Sequence, residues 1–95
     1  GTAIASARFL SFVGRSIGVI QSRGMSVNKI TIPAGTSRQV EVLINDVPYP
    51  FIISIDRLPG GQVEDMQRVI EYFARGGRLP KYVDIRVKGK AFYRE

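Results

Sequence analysis

The chain has 95 residues, with 14 Lys or Arg against 8 Asp or Glu, giving a formal charge of +6 and a pI near 10.2. That length and composition describe one small domain with a single core, and the charge favours anionic surroundings without naming them. Cysteine and histidine are absent, which excludes a disulfide framework, a thiolate metal site and the commonest general base. The sequence opens Gly1-Thr2 with no initiator methionine, so an excised domain spanning 1–95, with a short scar at 1–2, is expected.

From Ala3 to Gln21 the apolar residues Phe9, Phe12, Val13, Ile17 and Ile20 recur at steps of three and four, which predicts an amphipathic helix. Arg8 and Arg15 make it too polar for a membrane span. Gly14 and Gly18 are expected to permit close approach to the sheet or to mark a local weak point. Gly24 is placed to stop the helix, and Met25 to Ile32 reads as a strand with Val27, Ile30 and Ile32 apolar, ended by Pro33-Ala34-Gly35-Thr36. A second strand, Val40 to Ile44, leads to the turn signal Asn45-Asp46, then to Pro48 and Pro50. Phe51 to Ile55 is nearly continuous in apolar character, which predicts a central strand covered on both faces.

Leu58-Pro59-Gly60-Gly61 reads as a break, followed by a second helix with Val63, Met66, Val69, Ile70 and Phe73 on its stripe. Glu64 and Asp65 are expected in its first turn and Arg75 in its last, complementing the helix dipole. Gly76-Gly77 ends it. From Tyr82 to Val87 the residues alternate, with Val83, Ile85 and Val87 on one face and Tyr82, Asp84 and Arg86 on the other. A two-residue turn at Lys88-Gly89 would return the chain as a last strand, Lys90 to Arg94, with Phe92 opposite Ile85 on the buried face and Tyr93 outside. The order α-β-β-β-α-β-β predicts an α+β fold, a mainly antiparallel curved sheet of about five strands with two helices. Its expected core is Val27, Ile30, Val42, Ile44, Ile53, Ile55, Val69, Ile70, Phe73, Val83 and Ile85.

Enzyme motifs are missing. Gly60-Gly61 and Gly76-Gly77 have neither Walker nor dinucleotide spacing and read as turns, and Asp46, Asp56 and Asp84 are scattered, so no catalysis, cofactor or metal site is expected. Asp56-Arg57 and Asp84 with Arg86 are candidates for charge-assisted pairs that fix local geometry. Two function classes remain. One is a small basic nucleic-acid-binding module, with Arg75, Arg78, Lys81, Lys88 and Lys90 as a phosphate-binding surface beside Tyr82 and Tyr93. The other rests on the outer edge of the last strand, which is expected to be uncovered and therefore a template for a partner strand, or else simply solvated and guarded by Lys90 and Arg94.

From about Ala7 to Arg94 the element order resembles the β-domain of the bacterial cell-division proteins FtsQ and DivIB. The resemblance includes the closing segment Val83-Asp84-Ile85-Arg86, with Gly89 in the following turn and Ala91-Phe92-Tyr93 in the last strand. Val87 stands where many relatives carry an aromatic. The resemblance implies a non-catalytic divisome scaffold, carried by a single-pass membrane protein with a membrane-proximal POTRA domain, both lying outside the present sequence. It implies a location on the extracytoplasmic face of the bacterial inner membrane at the division site. The partners it implies are FtsB-like and FtsL-like proteins, or DivIC, held by addition of a partner segment to the last strand. At matching positions the implied site is Val87, Lys88, Gly89, Ala91, Phe92 and Tyr93, and Lys90 joins it by position and charge.

Overall fold

The computed structural model describes residues 7–32 and 38–95. Helix α1 (Ala7–Ser22) buries Phe9, Phe12, Ser16 and Ile20 along one stripe, as the spacing of its apolar residues dictates. It ends in a Schellman motif: Gly24, at φ 80°, donates its N–H to the Gln21 carbonyl at 3.0 Å, and the Met25 N–H reaches Ile20 at 3.2 Å. The expected helix start at Ala3 and the strand stop at Pro33-Ala34-Gly35-Thr36 lie outside the described residues. A Cβ at Gly14 or Gly18 would meet nothing within 4 Å, so these glycines do not serve the close approach expected of them. No described helix is long and apolar enough to cross a membrane.

The strands β1 (Val27–Thr31), β2 (Gln39–Ile44) and β3 (Phe51–Ser54) precede helix α2 (Pro59–Ala74), and β4 (Tyr82–Asp84) and β5 (Phe92–Arg94) follow it. They form one open five-stranded sheet in the order β1-β2-β3-β4-β5, the α+β fold in the expected element order. Neighbours are antiparallel except β3 and β4, which run parallel because α2 carries the chain across between them. One face packs under the helices and buries Val40, Val42, Ile44, Phe51, Ile53, Val83 and Ile85. On the opposite, open face the register aligns Thr31, Glu41, Ile52, Asp84 and Phe92 in one row.

β3 is therefore central, but it is covered on one face only: Ile52, between Glu41 and Asp84, is half-buried. Val27, Ile30, Ile55 and Ile70 are likewise half-buried against the core rather than inside it, and Ile32 is exposed. α2 starts at Pro59, so Gly60 and Gly61 lie in its first turn instead of breaking the chain. Proline fits there because its missing N–H has no helical acceptor at that position. The earlier start leaves no acidic residue in the first turn, and Arg75 is the C-cap residue just beyond the last turn. Gly76 and Gly77, at φ 109° and 98°, make the expected stop.

The parallel β3–β4 ladder proceeds through Val83 N–H to the Pro50 carbonyl and Ile85 N–H to the Ile52 carbonyl, both at 3.0 Å. The next bond in such a ladder would join the Ser54 N–H to the Ile85 carbonyl. Two side chains take its place. Gln62 of α2 accepts from the Ser54 N–H at 2.8 Å and donates to the Ser54 carbonyl at 2.8 Å and to the Arg57 carbonyl at 3.2 Å. Arg57 donates to the Ile85 carbonyl and to Asp65 of α2, the latter at 3.2 Å. The Arg57 and Asp65 side chains are only 15% and 12% exposed, so each depends on the other for solvation lost to burial.

Gln62 is 1% exposed, and Gln62→Ala is expected to cost about 1–3 kcal/mol by orphaning the Ser54 N–H, since the Ser54 carbonyl keeps the Arg57 N–H at 3.3 Å. Urea unfolding should show this as a lower midpoint at unchanged slope. Ser16 carries the opposite case, a buried hydroxyl without a hydrogen-bond partner among the described residues. Ser16→Ala is expected to raise stability by up to about 1 kcal/mol in the same measurement, since it removes an uncompensated polar group.

Candidate partner-binding edge

β4 and β5 pair as Tyr82↔Arg94, Val83↔Tyr93 and Asp84↔Phe92. Phe92 therefore lies opposite Asp84 on the open face, one residue out of the expected register with Ile85, and Tyr93 shares the helix-covered face with Val83. A one-residue slip exchanges the faces of every side chain in a strand. Its cause is in the turn. A two-residue hairpin turn that matches strand twist needs positive φ at its first central residue, and here only Gly89 takes it, at 72°, while Lys88 does not. The Val87 to Lys90 turn closes with the Lys90 N–H on the Val87 carbonyl at 3.1 Å, but Ile85 to Ala91 leaves the β4–β5 ladder.

The structure brings Val87, Lys88, Gly89, Lys90, Ala91, Phe92 and Tyr93 together along one exposed loop and edge. Phe92 is 53% exposed and Tyr93 44%. Because the Val83 N–H is committed to Pro50 on the β3 side, Val83↔Tyr93 is a pair without mutual backbone bonds. The N–H and C=O of Tyr93 then point away from β4, outward from the sheet.

On the open face beside this edge lies a groove of about 590 Å³, walled by two ion pairs and closed at the β5 end by Val87 and Phe92. Arg86 grips Asp84 with Nε at 3.0 Å and Nη2 at 2.7 Å, while its Nη1 donates to Gln39 of β2 at 2.7 Å. This is the expected Asp84 and Arg86 pair, extended across β3. Asp56 pairs with Arg38 at 2.7 and 2.8 Å and with Arg8 of α1 at 3.7 Å, not with its neighbour Arg57. Arg57 instead turns inward to Asp65. Sequence adjacency misleads here because consecutive residues in this turn send their side chains to different sides; the Arg38–Asp56 pair, whose members lie far apart in sequence, leaves no local signal.

Hydrogen bonds from Arg86 hold the Asp84 carboxyl below the ordinary carboxylate range, against the opposing effect of burial. Arg38 does the same for Asp56. On the helix-covered face, the ring of Tyr93 stands edge-on to Phe73 at 5.2 Å, and Tyr72 stands edge-on to Phe73 at 5.0 Å. The neighbouring Tyr72 hydroxyl, with a smaller contribution from burial, raises the Tyr93 phenol above its ordinary pKa.

The cations expected to bind phosphate fall in two groups along the chain. Arg75, Arg78 and Lys81 lie where α2 passes into β4, whereas Lys88 and Lys90 lie in the loop at the far end of the β4–β5 pair. Tyr82 and Tyr93 occupy opposite faces of the sheet. Among the described residues no group of acidic side chains is arranged to hold a metal ion.

Because the folded pKa of Asp84 is depressed, its contribution to stability is fully present above the ordinary carboxylate value. It is lost as pH falls through the lower folded value. Asp84→Asn is expected to cost about 1 kcal/mol at neutral pH, as for a partly exposed pair. The same variant should flatten the fall in unfolding midpoint that the parent shows below about pH 4. Thermal unfolding over a series of acid buffers measures both effects.

The chain matches no family model, no curated protein and no solved structure, so the reading of this edge rests on its own geometry.

Proposed function

We propose that this domain is a non-catalytic divisome scaffold of the FtsQ and DivIB kind, which holds a segment of an FtsB-like, FtsL-like or DivIC-like membrane protein by adding it as a strand beside β5. On this reading it works on the extracytoplasmic face of the bacterial inner membrane at the division site. Support comes from the α-β-β-β-α-β-β order and from the closing Val83-Asp84-Ile85-Arg86 segment, whose Asp84 and Arg86 lock to each other and to Gln39. The observation that carries the proposal is the contrast between the two sheet edges. β1 is irregular, with a register shift between Val27 and Lys29, a feature that discourages strand addition. β5 is regular, with Tyr93 aiming backbone groups outward and Phe92 exposed beside the groove.

Addition at such an edge draws affinity from main-chain hydrogen bonds and specificity from pockets for alternate side chains. The groove next to Phe92 and Val87 is open to whatever part of the partner lies over the sheet. Lys88 and Lys90, which form no ion pair among the described residues, favour acidic residues at its rim.

Phe92→Ala is expected to weaken partner binding by about 1–3 kcal/mol with the unfolding midpoint unchanged, since Phe92 is an exposed anchor rather than core. Tyr93→Ala should instead lower stability by about 0.5–1.5 kcal/mol through loss of its edge-to-face packing on Phe73. Capture of the partner from membranes, followed by amide-exchange mapping of the complex, tests the mechanism. Protection across 88–94 is expected; a captured partner that left those amides as exchangeable as before would rule out strand addition. Tight, sequence-selective binding of oligonucleotides at raised salt would favour the nucleic-acid module in its place.

A further inference from the structure

An added strand continues the pleat of the strand it joins, so its side chains fall alternately on the two faces of the sheet, level with those of β5. The residue across from Tyr93 thus points to the helix-covered face. Its two neighbours point to the open face, one beside Phe92 and one beside Arg94.

What waits on the helix-covered face is not solvent alone. Tyr72, in the last turns of α2, is 58% exposed. Its ring and that of Tyr93 both pack edge-on against Phe73, nearly perpendicular to it at 85° and 90°. Two exposed phenol rings are thereby held in place before any ligand arrives, which spares the ordering cost of a contact made by mobile side chains. On the other face, Arg94 pairs with no carboxylate among the described residues. Lys81 stands next to it, its N–H on the Arg94 carbonyl at 2.6 Å.

We infer that the protein segment that adds to β5 carries an apolar residue across from Tyr93, seated on the shelf made by Tyr72 and Tyr93, and next to it an acidic residue facing Arg94. This rests on the strand-addition reading and extends the site from β5 onto α2. For antiparallel addition, the more stable pairing, the partner reads acidic, apolar, apolar from N to C terminus, the third residue lying against Phe92. Tyr72 is a binding residue contributed by a helix that the edge alone does not involve.

The test uses synthetic extended peptides that differ only in a central triplet: Glu-Trp-Phe, its reverse Phe-Trp-Glu, Lys-Trp-Phe and Glu-Ser-Phe. Each is titrated against the full chain, with the Tyr93 amide followed by NMR. The chain has no tryptophan, so indole fluorescence gives a second signal from the three tryptophan peptides. Glu-Trp-Phe is expected to bind best, and Tyr72→Ala to weaken it about tenfold while leaving Glu-Ser-Phe unchanged. Tyr72→Phe, which keeps the ring, should retain most of the affinity, and Arg94→Glu should invert the order of Glu-Trp-Phe and Lys-Trp-Phe. If peptides shift the Tyr93 amide but Tyr72→Ala affects all of them equally or none, the shelf is wrong and strand addition stands. If the reverse triplet alone behaves this way, addition is parallel and the shelf stands. If no peptide in either direction shifts the Tyr93 amide, strand addition and the shelf fall together.

Discussion

At the end of the parallel pairing between β3 and β4, the Ser54 N–H and the Ile85 carbonyl are each bonded to a side chain where a longer ladder would have bonded them to one another. Gln62 presents a primary amide, the same donor and acceptor as a peptide group, and so ends the strand without leaving buried polar atoms unpaired. Arg57 does the same for Ile85 while neutralising Asp65. Both connections run into α2, so the helix that crosses over the sheet is also what limits its length. The strand that follows inherits that limit. β4 stops at Asp84, and the chain is released into the loop that carries Val87 to Ala91.

The proposed binding edge is consequently short, which is the usual way for a protein to tolerate an unpaired strand. An edge of three residues supplies too few main-chain bonds to recruit any passing strand, and selectivity must come from side chains on both faces. Arg86 contributes by linking the end of β4 to Gln39 on β2, across β3. The floor of the groove is thus braced over three neighbouring strands before a partner arrives.

Much of this was legible in the sequence because it is written in periodicity. The apolar spacing of Phe9, Phe12 and Ile20, the alternation through Val83 and Ile85, and Gly24 as a helix stop each reflect a local rule that the fold obeys. The faces of Phe92 and Tyr93 were not legible, because a hairpin register depends on whether one residue, Lys88, adopts a left-handed conformation that its Cβ disfavours. The helical place of Gly60 and Gly61 is hidden for a related reason: their low helix propensity is outweighed by Pro59 at the helix start and by the burial of Gln62 and Val63. Asp56 with Arg38 and Gln62 with Ser54 are tertiary pairings, and a sequence carries no local mark of which distant group will answer a carboxylate or a backbone amide. Among the candidate site residues, membership of the exposed loop and edge was readable from their position after the last turn. The contribution of Tyr72 was not, since it sits on the far helix and reaches the edge only through Phe73 and Tyr93.

The parallel crossover has a further meaning for the order in which the molecule assembles. β1, β2 and β3 are successive antiparallel neighbours, pairings available to a chain as soon as those segments exist, whereas β4 finds β3 only after α2 has closed over the sheet, and non-local closure of this kind is slow. β5 joins the rest of the sheet only through β4, its antiparallel neighbour. The edge proposed to receive a partner is therefore attached to the rest of the sheet through that single parallel crossover. A partner bound there as proposed would thus depend on the β3–β4 crossover being closed, and would sense that closure without touching the core.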